Sequence, residues 1–137
     1  MYLYANNIKW FMEPLVIEGT KKTPTVNFDK TSGKLELKWR SIPENAIEFY
    51  KPLVDWIEAY GVAPQPNTTV NIQFEYFNSS SSKCIIDILK IIEKIIKPGN
   101  NVIINWCCED DDEDMLVAGY DFKATLKVPF RIHEMTR

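Results

Sequence analysis

With 137 residues, 45% of them apolar and 26% charged, the chain has the size and balance of one globular domain that buries its own core, which excludes a disordered tail. Its formal charge of -3, sixteen Lys and Arg against nineteen Asp and Glu, excludes the broad basic footprint that phosphate backbones select, so no nucleic-acid partner is expected. Three cysteines, two of them adjacent, give no disulfide framework, and neither an apolar run of eighteen residues nor a secretory pattern is visible, so a cytoplasmic address without membrane contact is expected.

Residues 1–13 read as a leader, rich in aromatics but without a clear period, which either precedes a start at Met12 or forms a mobile arm. Residues 14–137 read as a single domain. Pro14 to Glu18 and Thr25 to Phe28 are short β-type runs, and Lys34 to Trp39 alternates as a half-buried strand does. The turn-forming stretch Asp29 to Gly33 joins the last two as a hairpin. Ser41-Ile42-Pro43-Glu44 spells a capping box, with Ser41 as the cap of a first helix. Its apolar face is Ala46, Phe49, Tyr50, Leu53, Trp56, Ile57 and Tyr60, and Gly61 with Pro64 and Pro66 ends it.

Thr68 to Phe77 is the clearest strand, with Val70, Ile72, Phe74 and Tyr76 predicted on one face. A polar break from Asn78 to Ser82 follows, and then a second helix from Lys83 to Lys97 with Ile85, Ile88, Leu89, Ile92 and Ile96 inward. Asn101 to Cys108 reads as a strand, Glu113 to Leu126 as a third helix, and Val128 to His133 as a closing strand. From Lys34 onward strands and helices alternate, which favours parallel pairing with right-handed crossovers. The predicted fold is a small α/β domain: a mixed, mostly parallel sheet with an N-terminal antiparallel hairpin and about three helices.

The serine run Ser79 to Ser82 stands where a strong strand hands over to a strong helix, where free backbone N–H groups and the helix dipole attract a phosphate. The plainer alternative is that these residues only cap the helix. The acidic run Glu109 to Asp114 fails the spacing of a calcium loop, because glycine is required where Met115 stands, and it reads as a solvated loop before a helix. His133, the only histidine, has no neighbouring ligand set, and Cys107 and Cys108 fall on opposite faces of a strand. No glycine-rich phosphate loop or serine-hydrolase elbow is present, so neither a catalytic residue nor a cofactor or metal is expected.

Tyr76-Phe77-Asn78-Ser79-Ser80-Ser81, followed by Lys83 and Asp87-Ile88-Leu89, resembles the SiaC family of bacterial regulatory phosphoproteins. Ile17-Glu18-Gly19-Thr20, Thr23-Pro24, Pro43-Glu44-Asn45, Phe49-Tyr50, Trp56, Asn105-Trp106 and Glu113-Asp114-Met115 extend the resemblance over residues 14 to 133. The resemblance implies a fold similar to the anti-sigma-factor-antagonist (STAS-like) domain. It also implies a partner switch: a serine/threonine kinase of the SiaB type phosphorylates the protein, a metal-dependent phosphatase reverses this, and the unphosphorylated form activates a diguanylate cyclase, tying the switch to cyclic di-GMP. The implied acceptor, the first hydroxyl after the motif asparagine, is Ser79, with Ser80 and Ser81 as alternatives and Tyr76, Asn78 and Lys83 as its surroundings. The alternative function is a constitutive protein-interaction domain that is never phosphorylated.

Overall fold

The computed structural model describes residues 12–95 and 97–136; the stretch 1–11, which makes up most of the expected leader, and Ile96, assigned above to a helix face, lie outside the described residues. Three strands, β1 (Leu15–Ile17), β2 (Thr25–Asp29) and β3 (Lys34–Ser41), lead to helix α1 (Ala46–Tyr60). The chain continues through β4 (Asn67–Phe77), α2 (Ser79–Ile95), β5 (Asn101–Glu109), α3 (Glu113–Thr125) and β6 (Phe130–Met135). All six strands form one sheet in sequence order, antiparallel from β1 to β3 and parallel from β3 to β6. Fold class and element order are therefore those predicted from the sequence. Met12 packs against the core, and the Glu13 carbonyl accepts a hydrogen bond from Trp56 Nε1 at 2.9 Å, so Met12 and Glu13 are fastened to the domain.

Sequential strand order has a geometric consequence. Each of the three crossovers steps one strand over in the same direction, and right-handed connections repeated that way put every helix on one face of the sheet. Burial follows: Leu35, Leu37, Val70, Ile72, Phe74, Val102, Ile104 and Trp106 are buried, while their alternating neighbours remain partly or fully exposed. The opposite face carries a polar ladder. Asn105 Nδ2 donates to Asn71 Oδ1 at 2.9 Å, and His133 Nε2 meets Asn105 Oδ1 at the same distance, which gives the lone histidine a structural partner. Parallel strands also run the same way, so all three helices begin at the carboxyl edge of the sheet.

Several sequence-based boundaries shift for identifiable reasons. Ser41 does not cap α1: it pairs with Phe77 in the parallel ladder, and the cap is Asn45, whose Oδ1 accepts from the Glu48 N–H at 3.1 Å. The serine run is not a break, because Asn78 alone turns the chain and Ser79 already begins α2. The last strand lies two residues later than expected, its register fixed by pairing of Ile104 with Phe130 and Glu109 with Met135. Tyr76 is not on the core face, for a reason described below.

Packing is close where α3 crosses β5. A Cβ on Gly119 would come within 2.6 Å of the Trp106 ring, which is 1% exposed and anchored by an Nε1 bond to the Met115 carbonyl at 2.9 Å. Helix propensity favours alanine there by about 1 kcal/mol. Overpacking against a buried ring that cannot move costs about 1–3 kcal/mol, and the second effect should win. Gly119→Ala is therefore expected to lower the urea midpoint of unfolding, and a raised midpoint would contradict the close packing.

Candidate functional site: the serine turn at the carboxyl edge

Asn78 occupies the N-cap of α2: its Oδ1 accepts from the Ser81 N–H at 2.9 Å, and its carbonyl accepts from the Ser82 N–H at 3.0 Å. Ser79 and Ser80 are thus the first two helical residues, ahead of the intrahelical ladder, and both are exposed. Ser82 is half-buried and Lys83 exposed. Ser81 differs from all of these, being fully buried.

The burial of Ser81 reflects a closed chain of hydroxyl groups. Ser81 Oγ donates to the Ser41 carbonyl at 2.9 Å, and Ser41 Oγ donates to Ser81 Oγ at 2.8 Å. Ser41 has then spent its proton, so the 2.6 Å contact with Tyr50 has the phenol donating to Ser41 Oγ. Burial pushes the Tyr50 hydroxyl well above its ordinary value, which keeps that proton in place. The Asn78 N–H also donates to the Ser41 carbonyl, at 3.0 Å. The end of β3, the second turn of α1 and the first turn of α2 are therefore joined by one buried network, in which each hydroxyl donates once.

Beside this network the β3–β4 ladder is irregular. The register shifts between Trp39 and Arg40, so that Trp39 pairs with Phe74 but Arg40 pairs with Tyr76. The extra residue on β4 reverses the alternation after Phe74, turning Tyr76 out (47% exposed) and Phe77 in, against Phe74, Trp106 and Phe122. Outside, the Arg40 guanidinium lies over the Tyr76 ring at 5.9 Å and pairs with Glu75 at 3.0 Å. Trp39 has φ of +89°, a left-handed conformation that costs a bulky side chain about 1–3 kcal/mol.

The other polar groups near this edge have structural uses. Asp112 caps α3 through an Oδ1 bond from the Met115 N–H at 3.1 Å, as the acidic loop before a helix was expected to do. Among the described residues no group of three or more His, Cys, Asp or Glu could hold a metal, and no helix is long and apolar enough to cross a membrane. Burial pushes the thiols of Cys84, Cys107 and Cys108 up, with Asp87 adding to the effect at Cys84 and Asp112 and Glu134 at Cys108. Protonated thiols are poor nucleophiles.

The edge thus gathers Asn78, Ser79, Ser80 and Tyr76 from the predicted set and separates Ser81 from them. Sequence reasoning missed Ser41 and Tyr50 as partners of Ser81, because a serine before a proline and a glutamate spells a cap. It also missed Trp39, whose backbone conformation has no sequence signal. Removing the phenol in Tyr50→Phe should cost about 1 kcal/mol of stability, and Ser81→Ala, which strands the Ser41 hydroxyl, about 1–3 kcal/mol. Urea denaturation followed by circular dichroism reads both, and unchanged midpoints would mean that the buried network contributes nothing.

The family model described as SiaC family regulatory phosphoprotein matches residues 17–135. An uncharacterized protein from Pseudomonas aeruginosa is 30% identical over 121 residues, covering 88% of this chain and 96% of its own. Among solved structures, SiaC of Pseudomonas aeruginosa superposes with a TM-score of 0.82 at 28% identity, covering 90% of this chain and all of the other. A crystal structure of the diguanylate cyclase SiaD in complex with its activator SiaC, from the same organism, matches with a TM-score of 0.82 at 29% identity, over 88% of this chain and 99% of the matched one.

Proposed function

The chain belongs to the SiaC family of regulatory phosphoproteins, and from that premise we propose that it is a phosphorylation-gated switch and not an enzyme. Its unphosphorylated form binds and activates a diguanylate cyclase in the cytoplasm, and phosphate on Ser79 blocks that contact. A kinase of the SiaB type adds the phosphate and a metal-dependent phosphatase removes it. Likeness to a SiaC solved as the activator of a cyclase supports the partner. Exposure of Ser79 on the first residue of α2 carries the choice of acceptor. Ser80 is also exposed but lies two positions beyond the asparagine, and Ser81 would have to leave a buried network to meet a kinase.

Magnitudes explain why such a switch can leave the fold unchanged. Phosphoserine brings about two negative charges and three acceptor oxygens. At the start of a helix the dipole favours an anion by about 0.3–1 kcal/mol, so the free protein tolerates the modification. A partner surface packed over a neutral hydroxyl would instead have to desolvate the anion, at several kcal/mol. Since 1.4 kcal/mol is tenfold in affinity, about 3 kcal/mol suffices to empty the complex.

Calorimetric titration with the cyclase tests this. Ser79→Asp, which carries one charge, should weaken binding by about tenfold or more. Ser79→Ala should bind as the parent does, and Ser80→Asp should lose less than Ser79→Asp. Equal affinity of Ser79→Asp and the parent would contradict gating at this residue and leave a constitutive interaction domain.

A further inference from the structure

Trp39 stands apart from the other large residues among those described. It is the only non-glycine residue with positive φ among the described residues, and the residue is 53% exposed. A tryptophan gains nothing from water and is poorly suited to a left-handed backbone, which glycine adopts freely. Backbone strain of this kind persists where the side chain has a use.

Trp39 lines a cleft of about 160 Å³ at the carboxyl edge of the sheet, together with Gln73, Glu75, Cys108, Asp112 and Met135 among others. That volume suits one large side chain and falls well short of a metabolite pocket. Its lining is aromatic, sulfur-bearing, amide and anionic. Glu75 and Asp112 line it, and Asp112 lies in the run Glu109 to Asp114, six consecutive carboxylates without an intervening cation. Glu75 is paired with Arg40, and Asp112 accepts the Met115 N–H, but a carboxylate has sites for about four donors, so each can accept further ones.

The chain itself shows which group such a surface takes. One residue away, Arg40 lies over the Tyr76 ring while its guanidinium pairs with Glu75. Aromatic face plus carboxylate is the seat of a guanidinium, which is planar, stacks, and donates in a fork; an ammonium matches only the charge. We propose that Trp39 is the anchor of a second docking point, in which the cleft between the indole, Glu75 and Asp112 receives an arginine side chain presented by a partner protein. Docking there requires no modification of Ser79, and the site fails or holds independently of the phosphoserine switch.

The position makes the test unusually clean, because removing the anchor should help the fold. Trp39→Gly relieves the left-handed strain, so its melting temperature should equal or exceed that of the parent while docking is lost. The probe is the capped tripeptide acetyl-Gly-Arg-Gly-amide, titrated at low ionic strength and followed by amide and indole nitrogen–proton spectra. Saturable shifts confined to Trp39, Gln73 to Glu75, Cys108 to Asp112 and Met135 are expected. They should vanish in Trp39→Gly, weaken severalfold with lysine in place of arginine, and be absent with the uncharged isostere citrulline. No shifts, equal shifts with citrulline, or shifts that survive in Trp39→Gly would each overturn the proposal. So would a large fall in the melting temperature of Trp39→Gly, because the indole would then be there for the fold.

Discussion

Three buried hydroxyl groups hold together the part of the molecule on which everything else depends. Tyr50 donates to Ser41, Ser41 to Ser81, and Ser81 back to the Ser41 carbonyl, so a strand end, the second turn of α1 and the first turn of α2 share one buried set of bonds. A buried hydroxyl left unpartnered costs as much as such a bond contributes or more, which makes the arrangement all-or-none. The consequence is local rigidity under an exposed turn. Ser79 and Ser80 face solvent on a helix start that cannot drift, because the third serine of the same turn is fixed in the core.

Topology supplies the rest. Parallel strands in sequence order, each followed by a helix on the same face, bring the starts of all three helices to one edge, with caps Asn45, Asn78 and Asp112. That edge therefore carries the positive ends of three helix dipoles, together with the β-bulge that turns Tyr76 outward and strains Trp39. Among the described residues, the opposite end of the sheet has none of these features. The exposed serines proposed for regulation and the cleft proposed for docking are thus brought to one edge by the fold itself.

Much of this was legible in the residues. The apolar period of α1 and α2, the alternation in β3 to β5 and the punctuation by Gly61, Pro64, Pro98 and Gly99 fix the element order. The exceptions share a cause: each depends on a contact between segments distant in sequence. Ser41 looks like a cap until β4 pairs with it, forty residues from the Ser81 it binds. Tyr76 continues a perfect alternation, and only the ladder with β3 reveals the extra residue that turns it out. The difference between Ser79 and Ser81 was equally hidden, since four identical side chains in a row give no signal until helical spacing sends one of them into the core.

The most direct test of this account is to map phosphate on protein recovered from its native host with phosphatase activity blocked, using peptide mass spectrometry across residues 76–90. Phosphate on Ser79, with Ser81 unmodified, is the predicted result. Phosphate on Ser81 would contradict the division of the serine run into exposed and buried members, and its absence from the whole run under every growth condition would contradict the switch itself.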